Sequence, residues 1–369
     1  MRTRGNMKKT LYTLNVGDYA PEMMKLTMPL MKRYAEKIGA DFEVITDRKY
    51  PDFPIPCEKF QIKERAEKNG DEWSIFYDAD ALIHPDMYDP TEVVDKSTTI
   101  SNGTDFVHIR FRDAWNYFKK DGRQIGKGNW CMHGSDWCRD LWNDELLKKY
   151  TKEELIKYIT PTVAELGTVI EPEHLIDDFI VSNNIARFSF KHVLLSEIKE
   201  MMCVNLLNSH WHEYRSDVDR KVFYMKKTLL IWAADALAND ERQQDIYNMI
   251  NQINYRKDKT LDWSDFASVI PCGKRLIDVI NSWGIDVKYK KFDDVKVNIK
   301  KDVLMSVIAR MPDCQAKQVA ANAINSLTEG VKIADFLGTL EAGQFIAENM
   351  RVNMDIDVKV TPKEKLGVK

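Results

Sequence analysis

Cysteine is scarce and scattered in this sequence. Six cysteines occur among 369 residues, and no two have the C-x-x-C spacing of zinc ribbons and redox motifs. A small fold held together by disulfides needs a much denser set. The pattern excludes both classes and predicts reduced thiols in the core or on the surface. The six are Cys57, Cys131, Cys138, Cys203, Cys272 and Cys314.

The sequence also lacks long apolar runs and a large net charge of either sign. No stretch approaches the ~20 continuous apolar residues of a membrane-spanning helix. Residues 1–10 lack the apolar centre of a secretory signal. We therefore expect a cytoplasmic protein without membrane contact. Lys and Arg total 54 against 57 Asp and Glu, and this net charge of -3 gives no overall attraction to nucleic acid or anionic membranes.

The first eighty residues alternate between strand and helix patterns. Apolar, β-rich runs at residues 10–16, 41–46 and 73–77 are separated by helical spacing at residues 22–38 and 58–68. This βαβαβ order predicts an α/β fold in which helices flank the sheet. Ligands of such sheets collect at the carboxyl ends of the strands.

The rest of the chain divides into a mixed part and a helical part. Residues 1–222 continue as strands and helices, whereas residues 223–369 have mainly helical patterns. We expect a domain boundary near residue 222. Further strands are predicted at residues 98–100, 106–111, 188–195 and 201–207, and further helices at residues 135–149, 152–158, 175–183 and 223–253.

Two carboxylates stand on alternate residues at the end of the third predicted strand, in the run Tyr77-Asp78-Ala79-Asp80. Such a pair can reach one hard divalent cation, which bridges the two phosphates of a nucleotide diphosphate and stabilises their charge as the group leaves. The residue between them is small. The alternative is that both aspartates are solvated turn residues after a strand.

The run resembles the DxD motif of GT-A fold glycosyltransferases, particularly retaining families such as the glycogenin-like enzymes and the α-galactosyl and α-xylosyl transferases. The resemblance implies a Rossmann-like mixed sheet, a Mn²⁺ or Mg²⁺ ion at Asp78 and Asp80, and a nucleotide-diphosphate sugar as donor, with UDP as the nucleotide. It also implies transfer with retention of configuration.

Residues 11–19 resemble the opening strand of these enzymes, whose loop holds the base and ribose. By this resemblance Thr13, Asn15 and Tyr19 are base-side candidates, although a surface tyrosine in a turn explains Tyr19 equally well. Lys59 and Lys63 lie where the family often has a basic residue near the donor phosphates. Lysines at this i, i+4 spacing also occur on solvated helix faces.

The family commonly takes a third metal ligand from a histidine near the end of the catalytic domain. His210 and His212 follow a predicted strand at that place, and in an extended chain they point to opposite faces. His210 is slightly preferred as the ligand, and a hydrogen-bonded core histidine is the alternative. Arg215 is a candidate for neutralising the leaving phosphate.

Two later segments resemble sugar-contacting parts of the family. In the first, Asn129 is predicted to bind the donor sugar, and Trp130 is predicted to stack on that sugar. The alternative is a glycine-rich surface turn with a buried Trp. In the second, Asp177 and Asp178 diverge by about a hundred degrees on a helix, so that only one faces the cleft. Asp178 is weakly favoured for holding sugar hydroxyls or stabilising an oxocarbenium-like transition state. The alternative is two acids interacting with a helix dipole.

The acceptor stays open at this stage. A saccharide or protein hydroxyl is one expectation. The other is a phage-type DNA glycosyltransferase acting on hydroxymethylated bases in a host cytoplasm, because a lysine cluster in the helical part could contact phosphates. A binding module without catalysis is the third expectation. The cluster comprises Lys288, Lys290, Lys291, Lys296, Lys300 and Lys301.

Overall fold

A six-stranded mixed sheet with helices on both faces organises the computed structural model of this protein. The structure describes residues 7–18, 20–102, 130–157, 172–199, 203–205, 218–237, 243–251 and 272–288, together with residues 263 and 309. The mixed α/β fold class predicted from the sequence is confirmed.

The strands form two sheets. The large sheet has the order β2-β1-β3-β6-β5-β7, with parallel pairs β1–β2, β1–β3 and β5–β7 and antiparallel pairs β3–β6 and β5–β6. A small antiparallel sheet pairs β4 with β8. The strands are β1 (Lys9–Leu14), β2 (Asp41–Ile45), β3 (Trp73–Tyr77), β4 (Ala81–Ile83), β5 (Thr98–Ser101), β6 (Cys131–Ser135), β7 (Lys191–Leu194) and β8 (Cys203–Asn205).

Helices occupy the connections. The described α-helices are α1 (Pro21–Ile38), α2 (Ile62–Asn69), α3 (Glu145–Lys149), α4 (Ile176–Arg187), α5 (Leu195–Ile198), α6 (Val218–Ala236), α7 (Gln243–Asn251) and α8 (Gly273–Ser282). Short 3₁₀ helices cover Ile55–Gln61, Pro90–Glu92, Asp136–Trp142 and Pro172–Leu175. None of the helices within the described ranges combines the length and apolarity that crossing a membrane requires.

The pleat of the sheet sorts its side chains into two cores. Tyr12, Phe76 and Met132 lie in one core with residues of α2 and α4. Their strand neighbours Leu11 and Ile75 lie in the other core with residues of α1. Successive side chains of a strand point to opposite faces, and therefore each strand supplies both cores.

The first strands and helices lie where the sequence predicted them, within one or two residues. The helix predicted at residues 58–68 is instead a 3₁₀ helix followed by α2, and the one predicted at residues 223–253 ends at Ala236. Strands β4 and β6 were missed: residues 131–135 form a central strand where the sequence suggested a loop leading into a helix at residue 135. The strand predicted at residues 106–111 lies outside the described residues.

Contacts divide the chain into two compact units. The first comprises Met1–Trp232, Asn254–Lys259 and Ile280–Ile285, and the second comprises Ala233–Ile253, Thr260–Val279 and Asp286–Lys369. The boundary predicted at residue 222 lies inside α6, and the division into residues 1–222 and 223–369 stays a prediction. Within the second unit, Ile246 and Ile250 of α7 are buried, as expected for an amphipathic helix.

Candidate active site

The Asp78-Ala79-Asp80 turn is fixed at the carboxyl end of β3 by backbone hydrogen bonds. The Asp78 amide donates to the carbonyl of Trp130 at 2.8 Å, which continues the pairing of β3 with β6 for one residue. The hydroxyl of Thr27 in α1 donates to the carbonyl of Ala79 at 2.7 Å. The turn is thereby tied to a strand on one side and to a helix on the other.

Two buried lysines bring positive charge to this turn. The Lys59 ammonium lies 3.8 Å from Asp78 Oδ1 and 2.6 Å from Asp177 Oδ2, and its side chain is 1% exposed. The Lys221 ammonium lies 3.3 Å from Asp80 Oδ2. Three carboxylates and two ammonium groups from separate parts of the chain therefore meet at one edge of the sheet.

The charges in this cluster shift one another's protonation. Burial raises the pKa of Asp78 to about 6; Lys59 opposes that rise, whereas the charge of Asp80 adds to it. Burial alone would lower the pKa of Lys59, but the charges of Asp177 and Asp78 more than offset it, and the pKa is raised. Lys59 is therefore a charged group held inside the protein by its carboxylate partners.

Asp177 and Asp178 both lie in the first turn of α4 and are buried. Asp177 forms the hydrogen bond to Lys59, and Asp178 adds to the electrostatic field that raises the pKa of Lys59. The structure thus brings both predicted carboxylates towards the cluster, with Asp177 in direct contact. Which of them faces a sugar stays a prediction.

The end of β1 presents polar atoms that form no hydrogen bond with the described residues. Among the described residues, Thr13 Oγ1 and Asn15 Oδ1 are buried and have no hydrogen-bond partner. The next residues turn sharply: Gly17, Asp18 and Ala20 all have positive φ angles, of 71°, 52° and 49°. A left-handed conformation is uncommon for residues with a side chain, and strained loops of this kind cluster at binding sites.

Lys63 and Trp130 lie in surroundings different from those that the sequence suggested. Lys63 forms an ion pair with Asp140, with 2.6 Å between Nζ and Oδ1. The indole of Trp130 is only 3% exposed and packs against Tyr77, with 6.3 Å between ring centroids. The phosphate role of Lys63 and the sugar-stacking role of Trp130 stay predictions that these contacts do not favour.

Several predicted site residues lie outside the described residues. These are Tyr19, Asn129, His210, His212 and Arg215. Five of the six clustered lysines, all except Lys288, are outside them as well. Their proposed roles in base, sugar, metal, phosphate and DNA binding stay predictions.

The acidic pair has the donor chemistry of a divalent-cation site, although its ligand set is incomplete in the described residues. Asp78 and Asp80 offer the hard oxygen ligands that Mg²⁺ and Mn²⁺ prefer. Their mutual repulsion contributes to the raised pKa of Asp78, and a bound cation would relieve it. Within the described ranges, no three His, Cys, Asp or Glu side chains converge as a metal-binding group. The two carboxylates fit a cation that takes further ligands from elsewhere.

Sequence reasoning missed Lys221. It stands near the start of α6, with its side chain 5% exposed, and contacts Asp80 from 141 positions away. A lysine early in an amphipathic helix gives no local signal of such a contact. A buried position on the apolar side of the helix was the one available indication.

Similarity of this chain to known proteins is confined to solved structures. No protein-family model matches the sequence, and no curated protein is significantly similar to it. Among solved structures, one match is described as a glycosyltransferase involved in the glycosylation of the major capsid of PBCV-1. It has 11% sequence identity and a TM-score of 0.31, and the match covers 59% of this chain and 98% of that chain.

Proposed function

We propose that this protein is a metal-dependent glycosyltransferase. It moves a sugar from a nucleotide-diphosphate donor, a UDP-sugar, to a hydroxyl group of a saccharide or protein acceptor, with retention of configuration. The supporting observation is the cluster at the carboxyl end of β3, where Asp78 and Asp80 lie beside Asp177 and two buried ammonium groups. Sheets of this type bind their ligands at that edge.

The proposed roles follow from the chemistry of each side chain. Asp78 and Asp80 hold a Mn²⁺ or Mg²⁺ ion, which when bound neutralises the charge that develops on the leaving diphosphate. Thr13 and Asn15 supply polar atoms to the nucleoside, since those buried atoms have no hydrogen-bond partner in the described part of the chain. Lys59 orients Asp177 through a hydrogen bond of 2.6 Å between Nζ and Oδ2.

The reaction breaks the bond between the anomeric carbon and the phosphate oxygen, and its electron pair leaves with the nucleoside diphosphate. The acceptor oxygen forms the new bond to that carbon, and its proton passes to the leaving diphosphate oxygen. Positive charge develops on the sugar ring as the bond breaks. One carboxylate in the first turn of α4, with Asp178 favoured and Asp177 the alternative, supplies the negative charge that stabilises such a state.

The decisive experiment compares Asp80→Asn with a matched surface substitution. Asp86 lies six positions further along, with a side chain that is 82% exposed, and Asp86→Asn is the control. We expect Asp80→Asn to abolish both hydrolysis and transfer of a UDP-sugar in the presence of Mn²⁺, and Asp86→Asn to retain them. Full activity of Asp80→Asn would contradict the proposal. Screening a panel of nucleotide sugars, with mass spectrometry of the acceptors, identifies the sugar and the product.

A further inference from the structure

The contact between Lys221 and Asp80 has a consequence for cation binding. The Lys221 ammonium lies 3.3 Å from Asp80 Oδ2, and the two side chains are 5% and 11% exposed. Because both side chains are almost fully buried, water screens their electrostatic attraction only weakly. One carboxylate oxygen of Asp80, a proposed metal ligand, therefore already forms an ion pair with the Lys221 ammonium.

The second lysine of the cluster is placed differently. Lys59 has its closest partner in Asp177, at 2.6 Å, and lies 3.8 Å from Asp78. It also stands 4.7 Å from the centre of the Phe76 ring, which holds its ammonium in a cation–π contact. These contacts keep Lys59 in place whether or not Asp78 binds another cation. Lys221 instead has its closest described partner in Asp80, and its charge also acts on Asp78.

A divalent cation and the Lys221 ammonium cannot share Asp80 without a cost. Mg²⁺ binds oxygen ligands at about 2.0–2.1 Å. A cation there would lie within a few ångströms of the ammonium, and like charges at that separation repel strongly in a buried site. The ammonium has to withdraw from Asp80 when the cation binds.

We propose that Lys221 is an internal competitor for the divalent cation at Asp80, and that it transfers to the donor diphosphate when cation and donor bind together. The inference rests on the proposed function, because it takes the ligand to be a nucleoside diphosphate. A displaced ammonium beside a bound diphosphate forms a charge-assisted hydrogen bond with a phosphate oxygen. The cation displaces Lys221 from Asp80, and the diphosphate gives the displaced ammonium a new partner. Each ligand therefore lowers the free-energy cost of binding the other, and the two bind cooperatively.

The test measures binding of Mn²⁺ and of UDP to the full-length protein. Free Mn²⁺ is followed by electron paramagnetic resonance, first without nucleotide and then with saturating UDP; UDP affinity is measured by calorimetry with Mn²⁺ present. Wild type is expected to bind Mn²⁺ at least about tenfold more tightly with UDP than without it. In Lys221→Met, Mn²⁺ alone binds about tenfold more tightly, UDP binds about tenfold more weakly, and the cooperativity falls to what the contact between the cation and the diphosphate supplies.

Matched variants separate this effect from general damage to the fold. Lys9 is also a buried lysine in an ion pair, 2.5 Å from Asp89, and it lies at the opposite end of the sheet. Lys9→Met is expected to lower stability and leave Mn²⁺ affinity unchanged. Lys221→Arg keeps the charge and is expected to keep weak Mn²⁺ binding. Lys221→Gln is a second neutral variant if Lys221→Met does not fold.

The outcomes test separately the competition at Asp80, the transfer of Lys221 to the diphosphate and the proposed enzymatic function. Mn²⁺ binding to the neutral Lys221 variants that is no tighter than to wild type overturns the competition, and so does an absence of Mn²⁺ binding in all of them. Unchanged UDP affinity in these variants overturns the transfer of Lys221 to the diphosphate. Tighter Mn²⁺ binding without any sugar transfer by wild type would keep the competition and remove the proposed enzymatic function.

Discussion

Lys59 and Asp177 form a buried ion pair, 2.6 Å between Nζ and Oδ2, across 118 positions of the chain. The pair joins the 3₁₀ helix before α2 to the first turn of α4. Lys59 also reaches to within 3.8 Å of Asp78. One ammonium group thus holds together two acidic segments that the sequence identified separately.

The first prediction concerns the cost of removing that ammonium. Lys59→Met leaves Asp177 buried without its cation, and we expect unfolding free energy to fall by about 3–5 kcal/mol. Lys63→Met breaks a pair whose side chains are 29% and 40% exposed, and is expected to cost less than about 1 kcal/mol. Urea unfolding followed by circular dichroism measures both. Equal costs for the two variants would show that Lys59 is not the structural link described here.

The second prediction concerns Thr13, whose buried hydroxyl has no partner among the described residues. Thr13→Val keeps the shape and removes the unsatisfied hydroxyl, so stability is expected to stay unchanged or to rise. If the hydroxyl binds the nucleoside, UDP affinity falls about two- to tenfold, the value of one hydrogen bond. Thermal unfolding and calorimetry measure the two effects. A variant that loses stability but binds UDP normally would assign Thr13 to the fold instead.

The third prediction concerns pH and His133, a fully buried residue of β6. Burial lowers the pKa of His133 from 6.5 to about 4, so the folded protein holds the ring neutral. As the pH falls below 6.5, the unfolded chain takes up a proton that the folded chain does not, and stability is lost until about pH 4. The difference between these pKa values corresponds to about 3 kcal/mol.

His133→Asn removes this titration. We expect its unfolding free energy to fall less steeply than that of wild type between pH 6.5 and pH 4, while the two proteins follow parallel curves above pH 6.5. Urea unfolding at a series of pH values gives the comparison. Parallel curves through the acid range would mean that His133 does not contribute to acid sensitivity.

The sequence predicted the parts of the fold that follow from local patterns. β1, α1, β2 and β3 were found because apolar periodicity and closing glycines mark them, as at Gly39, which has a φ of 66° after α1. β6 was missed because its run Cys-Met-His-Gly-Ser lacks the β-branched and aromatic residues that identify a strand. Its Gly134 and Ser135 suggested a turn. In the structure, Gly134 leaves room for Leu141, whose Cδ2 would lie 3.0 Å from an added Cβ.

The residues of the candidate site also divide into those that local sequence patterns predict and those that they do not. Asp78 and Asp80 could be predicted because the motif and the strand before it are contiguous in sequence. The i, i+4 spacing of Lys59 and Lys63 could not separate them, since the difference depends on which side of the helical segment faces Asp177. Lys221 was not predictable, because its contact with Asp80 is set by where α6 packs.

The distance between Asp80 and Lys221 along the chain also bears on synthesis. A ribosome adds 141 further residues after Asp80 before the ammonium that pairs with it exists. Strands β1 to β3 are synthesised far earlier, together with Lys59, the partner of Asp78. Lys221 is thus the last of the described residues of the proposed site to be synthesised.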